Sequence, residues 1–163
     1  MQRQHIWNAS CATTTEFYRE CKLEAVRLVS GDEGHVTETI LIVDDEIDVL
    51  DSCRRILKRA GFSCLTATNV PMALSLFDSQ QPGLVLSDID LVIGNGFELA
   101  HYVREKAPGT LIILMTGGGD LDAVKRAARI GVAGYLSKPF SNSELIATVR
   151  SLLGSGNNSG STD

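Results

Sequence analysis

The chain has 163 residues, of which 44% are hydrophobic, so it can bury one ordinary core and is short for two. Its formal net charge of -5 disfavours a role based on attraction to a phosphate backbone. The cysteines form no CxxC pair and no His/Cys cluster with metal-ligand spacing, which favours free thiols in a reducing compartment. No apolar run is long enough to span a membrane, and the N-terminus lacks a secretion signal. We therefore expect a cytoplasmic protein that contacts neither membrane nor nucleic acid directly.

Residues 1–37 differ in character from the rest of the chain. They contain the only tryptophan, and a helical stripe of apolar residues lies within residues 16–29. Residues 16–29 resemble the first helix of the DNA-binding domain of insertion-sequence transposases. A helix-turn-helix also needs a recognition helix, whereas this chain passes through Ser-Gly-Asp-Glu-Gly into a different domain. We expect residues 1–37 to be a poorly ordered or single-helix N-terminal extension.

From residue 39 onward, apolar runs of strand type alternate with helical patterns. The predicted strands cover residues 40–43, 62–67, 84–88, 111–115 and 132–137. The predicted helices follow them: one ends before Gly61, two cover residues 69–80 and 95–106, one lies between Asp120 and Gly131, and one begins at the capping box of Ser141 and Glu144. This alternation predicts a parallel α/β sheet buried on both faces, in a domain over residues 38–153. The Gly-, Ser- and Asn-rich residues 154–163 are predicted to be a disordered tail.

Polar side chains follow four of the predicted strands at the point where each strand ends. Asp44 and Asp45 follow the first strand, Asp88 the third, Thr116 the fourth and Lys138 the fifth. Because the carboxyl ends of parallel strands meet at one edge of a sheet, these groups should converge. Three carboxylates there repel one another unless a divalent cation and a lysine compensate, and hard oxygen ligands suit Mg²⁺. A carboxylate beside a metal, a hydroxyl and an ammonium group is a good phosphoryl acceptor.

Each of these residues has a simpler interpretation when it is taken alone. Asp44 could cap the first helix, and Asp88 to Asp90 could be a solvated turn. Thr116 and Lys138 could be ordinary polar residues at strand ends. Their combination favours a functional site. Lys138-Pro139 is the most informative pair, because a proline just after a strand often imposes a special, sometimes cis, peptide geometry.

With these motifs in order, residues 39–153 resemble the receiver domain of two-component response regulators. The resemblance rests on the acidic pair, Asp88, Thr116 followed by a small residue, Tyr135, and the Lys138-Pro139-Phe140 run. It implies a flavodoxin-like, doubly wound α/β fold with a five-stranded parallel sheet of order 2-1-3-4-5 and five helices.

The resemblance also implies a site and a set of partners. Asp88 would be the phosphoacceptor, assisted by Thr116 and Lys138, and Thr116 and Tyr135 would form the switch. Mg²⁺ would be held by Asp45, Asp88 and the backbone carbonyl of Asp90, with Asp44 acting largely through water. The donor would be a sensor histidine kinase or a histidine phosphotransfer protein. A downstream protein target would dock on the face formed by helix four, strand five and helix five.

Two departures from the family pattern affect the segment after Asp88. Leu91 and Val92 stand where family members commonly carry Met-Pro, although Asn95-Gly96 keeps the later turn. This departure should affect the stiffness of the loop more than its chemistry. Asp90 places a second acid at a position that in this family tends to tune dephosphorylation.

Three other functions compete with a receiver switch. A haloacid-dehalogenase-like phosphatase could use Asp88 as nucleophile, but it needs an acidic pair after the lysine, and only Glu144 and Asp163 follow Lys138. A pseudo-receiver that only binds proteins is disfavoured because no phosphorylation residue is missing. A DNA-binding regulator is disfavoured because no effector domain follows Leu153. We therefore expect a stand-alone receiver that is not an enzyme but a phosphorylation-dependent switch.

Overall fold

The structure, a computed structural model, describes residues 38–118 and 120–154. The predictions for residues 1–37 and for residues 155–163 of the tail lie outside the described residues. Strands and helices alternate along the domain: β1 Thr39–Val43, α1 Ile47–Arg59, β2 Ser63–Ala67, α2 Val70–Gln80, β3 Leu84–Asp88, α3 Gly96–Lys106, β4 Leu111–Thr116, α4 Leu121–Ile130, β5 Gly134–Ser137 and α5 Asn142–Gly154. None of these helices is long and apolar enough to cross a membrane.

The strands form one sheet of order β2-β1-β3-β4-β5, and every neighbouring pair is parallel. The predicted flavodoxin-like fold is therefore confirmed. The strands β1, β3 and β4 lie in the middle of the sheet and are buried on both faces, which explains why they read as continuous apolar runs.

Alternate residues of the central strands supply two separate cores. Leu41, Val85 and Leu114 face the core covered by α2, α3 and α4. Ile42 and Leu86 face the core covered by α1 and α5. Burying a side chain of this size contributes about 1.5–3 kcal/mol, so the two layers of helices are held on the sheet mainly by apolar burial.

Side-chain caps are present at predicted helix starts, and they accept hydrogen bonds from backbone N–H groups of the first helical turn. Asn69 caps α2 by accepting from Met72 N–H at 2.9 Å. Asp120 caps α4 with bonds to the N–H groups of the next turn. The predicted capping box at α5 is present, because Ser141 N–H donates to Glu144 at 2.7 Å and Glu144 N–H donates to the Ser141 hydroxyl at 3.2 Å.

Two predicted boundaries are corrected. The fifth strand begins at Gly134 rather than at residue 132. Gly131 ends α4 in the left-handed region with φ 78°, and Val132 N–H still bonds to the carbonyl of Ala127 in that helix. Gly154, predicted as the first residue of the tail, is the last residue of α5.

Candidate functional site

Three acids meet at the carboxyl edge of the sheet. Asp44, Asp45 and Asp88 each offer a carboxylate oxygen, and these oxygen atoms lie within 4.8 Å of one another. Asp44 is fully buried, Asp88 is 7% exposed, and Asp45 is half-buried. Their closeness follows from the sheet order, because β1 and β3 are neighbours and both end at this edge.

Asp44 does not cap α1, which was the simpler interpretation of this residue. The N-cap position is Glu46, whose side chain makes no capping hydrogen bond. Asp44 Oδ1 accepts from Glu46 N–H at 2.9 Å, and Asp44 N–H donates to the carbonyl of Ala67 at 3.1 Å. These bonds fix the carboxylate at the end of β1, with its second oxygen available to the site.

Lys138 joins two of the acids. Its Nζ lies 2.7 Å from Asp44 Oδ2 and 2.8 Å from Asp88 Oδ2. Burial lowers the pKa of Lys138, but the hydrogen bonds and charges of the two carboxylates outweigh it and raise the pKa above its ordinary value. The backbone holds the lysine in place, because Lys138 N–H donates to the Thr116 carbonyl at 2.7 Å. The peptide bond between Lys138 and Pro139 is cis.

Thr116 ends β4 beside this cluster. Asp88 pairs in register with Met115, so Thr116 lies one residue farther along the neighbouring strand. Its side chain is buried, with 5% exposure. A Cβ built on the next residue, Gly117, would meet no atom within 4 Å, so the backbone just after Thr116 is not crowded.

Tyr135 lies on β5, opposite Leu114 in the parallel register. Its ring packs against the core beneath α2, α3 and α4. The hydroxyl oxygen is buried and has no hydrogen-bond partner among the described residues. The ring is therefore directed inward, with its hydroxyl oxygen buried.

Asp90 is exposed, and its carboxylate is not among the three that meet at the cluster described above. Its backbone is tied to the site, because Asp90 N–H donates to Asp88 Oδ1 at 3.3 Å. It also forms an isolated antiparallel bridge with Asn95. The metal ligand predicted at Asp90 is its backbone carbonyl, which belongs to this constrained segment.

A cleft of ≈ 460 Å³ borders Lys138 on the side of α1. Its walls are α1 and the connection between β5 and α5, and they include Val49, Cys53, Ile56, Lys138, Pro139 and Phe140. Burial raises the pKa of the Cys53 thiol to about 11, and the nearby Asp44 carboxylate adds to this increase. The thiol therefore remains protonated at neutral pH.

The donor set fits the predicted Mg²⁺. The three acids offer only oxygen donors, which this hard cation prefers. The charges agree with this fit, because the carboxylates outnumber the ammonium group of Lys138 that contacts them. A divalent cation would neutralise this excess negative charge.

The family model of the response regulator receiver domain matches residues 40–150. The chain belongs to the receiver family of two-component response regulators. Among curated relatives, this receiver is 35% identical over 120 residues to the phosphate regulon transcriptional regulatory protein PhoB of Pseudomonas aeruginosa, covering 72% of this chain and 52% of PhoB. It is 34% identical to the DNA-binding transcriptional regulator NtrC of Escherichia coli, covering 68% of this chain and 24% of NtrC. The chain therefore spans about half the length of these relatives or less.

Solved receiver structures share the fold. The receiver domain protein (CheY-like) of Methanospirillum hungatei superposes with a TM-score of 0.72 at 28% identity, over 76% of this chain and 99% of that one. The chemotaxis response regulator CheY4 of Vibrio cholerae gives a TM-score of 0.68 at 25% identity, over 72% and 99%.

The sequence did not indicate how closely the loop after β3 of this receiver packs on the site. A Cβ built on Gly96 would collide with the carbonyl oxygen of Asp88. The Asn95-Gly96 pair is typical of a turn, and it is the signal in the sequence that points to this part of the loop. Its contact with β3 depends on the tertiary fold.

Proposed function

We propose that this receiver is a phosphorylation-dependent signalling switch, in which Asp88 accepts a phosphoryl group from a histidine kinase or a histidine phosphotransfer protein. One observation carries the proposal: Asp88 lies among two further carboxylates and within 2.8 Å of the Lys138 ammonium group. An acidic cluster that is partly neutralised by one lysine suits a site that receives a phosphoryl group together with a cation.

The proposed transfer places each group in a definite role. An Asp88 carboxylate oxygen attacks phosphorus in line, the new O–P bond forms, and the N–P bond to the donor histidine breaks with its electron pair left on the imidazole. Lys138, held by two carboxylates, turns toward the phosphoryl oxygens and offsets their charge. Asp45, Asp88 and the Asp90 backbone carbonyl would hold Mg²⁺, with Asp44 acting largely through water, and the cation would neutralise further phosphoryl charge when bound.

The proposed switch couples Thr116 to Tyr135. The Thr116 hydroxyl moves toward the phosphoryl group on Asp88 and vacates space beside β4, to which the ring on β5 responds. The hydroxyl of Tyr135 is buried and has no hydrogen-bond partner within residues 38–118 and 120–154. This supports two positions for the ring, because an outward position would return the hydroxyl to water. A shift of a few kcal/mol is enough to reverse such an equilibrium.

The proposed output is protein binding on the face formed by α4, β5 and α5. Helix α4 buries only small side chains, Ala123 and Ala127, and leaves Leu121 74% exposed. A helix whose fully buried side chains are this small is suited to move when Thr116 moves. We propose that residues 38–154 make no direct contact with nucleic acid. The proposal is limited to these residues because the relatives PhoB and NtrC are a transcriptional regulatory protein and a DNA-binding regulator, respectively.

A phosphatase of haloacid-dehalogenase type is disfavoured as the alternative. Its metal site would need an acidic pair after the lysine, whereas here the pair comes before Asp88 and already lies at the site. We propose a cytoplasmic switch that is not an enzyme acting on an external substrate.

Intact-mass measurement after incubation with acetyl phosphate tests the proposal. The wild type should gain the mass of one phosphoryl group only when Mg²⁺ is present. Asp88→Asn should gain none, whereas Asp90→Asn, which leaves the three-carboxylate cluster intact, should still be phosphorylated. Acyl phosphate retained in Asp88→Asn would contradict the assignment.

A further inference from the structure

The first turn of α3 is bonded directly to the end of the phosphoacceptor strand. Gly96 is the first residue of α3, so its N–H has no partner within the helix. This N–H donates instead to the carbonyl of Ile89 at 2.9 Å. The preceding residue, Asn95, forms the antiparallel bridge to Asp90. The helix and the Asp88–Asp90 backbone therefore form one hydrogen-bonded unit.

This close approach requires a residue without a side chain at position 96. A Cβ there would collide with the Asp88 carbonyl oxygen and come within 2.9 Å of Ile89 Cα. Gly96 is not among the glycines with positive φ, so its backbone conformation is open to other residues. Position 96 therefore requires glycine because there is no space for a side chain, and not because of its backbone conformation.

Asn95 sets the position of this turn. Its Oδ1 accepts from Phe97 N–H at 2.8 Å, which makes Asn95 the N-cap of α3. Phe97 is buried, and the Arg126 guanidinium lies 4.1 Å from the centre of its ring. The start of α3 is thus held by a cap and by packing on its second residue.

The middle of the loop is anchored without proline. Val70 N–H donates to the carbonyl of Ile93 at 3.2 Å, and Gly94, with φ 90°, packs against the Val70 side chain. Val92, at the position where Met-Pro is common, is 82% exposed and contributes little packing. The loop is therefore held near the site by the buried Leu91 side chain and by the turn that begins α3.

We propose that Gly96, with Asn95 as its cap, is a positioning residue for the metal and phosphoryl site. This inference rests on the proposed function. Because Gly96 has no side chain, α3 packs directly against the backbone of Asp88–Asp90. This contact fixes the direction of the Asp90 carbonyl and of the Asp88 carboxylate. Groups that orient metal ligands from behind typically change metal affinity about 10–100-fold when they are removed.

Titration of the full chain with Mg²⁺, followed by backbone amide NMR shifts, tests the inference. Gly96→Ala should bind Mg²⁺ at least about tenfold more weakly than wild type. The matched control is Gly61→Ala. Gly61 has φ 98°, with open space around its Cα, so alanine strains the backbone there without a collision and at the opposite edge of the sheet. Its Mg²⁺ affinity should be unchanged although its stability falls.

A second pair of variants covers the case in which Gly96→Ala does not fold. Asn95→Ala removes the acceptor for Phe97 N–H and should also weaken Mg²⁺ binding, whereas Asn95→Ser retains a capping oxygen and should restore it. In addition, the Gly96 amide should exchange slowly with solvent in the wild type and faster in Asn95→Ala.

The outcomes separate this inference from the proposed function. Wild-type Mg²⁺ affinity in Gly96→Ala or Asn95→Ala would overturn the positioning role while leaving the receiver function intact. An equal loss of affinity in Gly61→Ala would also overturn it, because the effect would then follow general destabilisation. A wild-type protein that fails to bind Mg²⁺ would instead contradict the proposed function itself.

Discussion

The ammonium group of Lys138 lies 2.7 Å from the carboxylate of Asp44, a residue 94 positions earlier in the chain that is fully buried. The pair joins the ends of the outer strand β5 and the central strand β1, between which β3 and β4 lie. Lys138 therefore connects distant strands as well as serving the proposed chemistry. Removal of the lysine would leave a buried carboxylate without its counter-charge.

We expect Lys138→Met to lower the free energy of unfolding by about 3 kcal/mol in the absence of Mg²⁺, because breaking one side of a buried ion pair is strongly unfavourable. Added Mg²⁺ should recover part of this loss, since a cation that binds only the folded state stabilises it. Urea denaturation with and without Mg²⁺ measures both effects.

Lys125→Met is the matched control for this substitution. The pair between Lys125 and Asp122 is 3.5 Å long and exposed, so its loss should change stability by less than about 1 kcal/mol. Equal destabilisation in the two variants would show that the contact with Asp44 contributes no more than a surface pair.

The pKa of Cys53 predicts a loss of stability at alkaline pH. Burial raises this pKa from 9.0 to about 11, so the folded state binds the thiol proton more tightly than the unfolded state. The resulting stabilisation is present below pH 9 and is lost as the pH rises through about 11.

Cys53→Ala removes this titration. The difference in unfolding free energy between wild type and Cys53→Ala should therefore fall by about 1 kcal/mol between about pH 8 and pH 10, as follows from ~1.4 kcal/mol per pKa unit. Parallel urea titrations of the two proteins at each pH measure it. A difference that stays constant with pH would mean that the thiol is not desolvated in the folded protein.

The local signals in the sequence were strong enough to predict most of the fold. The apolar runs before Asp44 and Asp88 could be recognised as strands because each forms a central strand that is buried on both faces. Caps such as Asp120 act within a few residues and could be read directly from the sequence. The start of β5 was placed two residues too early, because Val132 is apolar but its N–H is engaged by the end of α4.

The location of the site could also be predicted from the sequence, because the ends of parallel strands meet at one edge whatever the details of packing. Its geometry could not be predicted, because it depends on contacts between distant residues. Close packing of separate elements produces three such features. These are the pairing of Lys138 with Asp44, the collision that excludes a side chain at Gly96, and the inward direction of the Tyr135 ring. No local pattern encodes these contacts.

Tyr135→Phe should stabilise the protein slightly. The substitution removes a buried hydroxyl that lacks a hydrogen-bond partner among the described residues, so the free energy of unfolding should rise by about 0.5–1 kcal/mol. Tyr102→Phe is the control with the opposite sign, because the Tyr102 hydroxyl bonds to Asp78 at 2.8 and 2.9 Å. Thermal unfolding of both variants compares them, and a clear loss of stability in Tyr135→Phe would indicate that its hydroxyl is satisfied in solution.

Thr116→Ala should separate phosphate capture from the response of Tyr135. The carboxylates and Lys138 remain in this variant, so Asp88 should still accept a phosphoryl group. The hydroxyl that would move toward the phosphoryl group is lost, and with it a hydrogen bond to a charged group worth about 1.5–3 kcal/mol, enough to reverse a two-state equilibrium. The ring on β5 should then keep the same position whether or not the site is loaded.

NMR shifts of β5 and α4, recorded with and without beryllofluoride as a phosphate mimic, measure this coupling. Large shifts are expected in wild type and in Thr116→Ser, which keeps the hydroxyl, and small shifts in Thr116→Ala. Binding of the mimic must be observed at Asp88 in all three proteins, so that a missing response in β5 is not confused with missing occupancy. Equal shifts in wild type and Thr116→Ala would mean that the signal reaches Tyr135 through another group. In that case the backbone bond from Lys138 N–H to the Thr116 carbonyl is the next connection to test, because it joins β4 to the end of β5 without the hydroxyl.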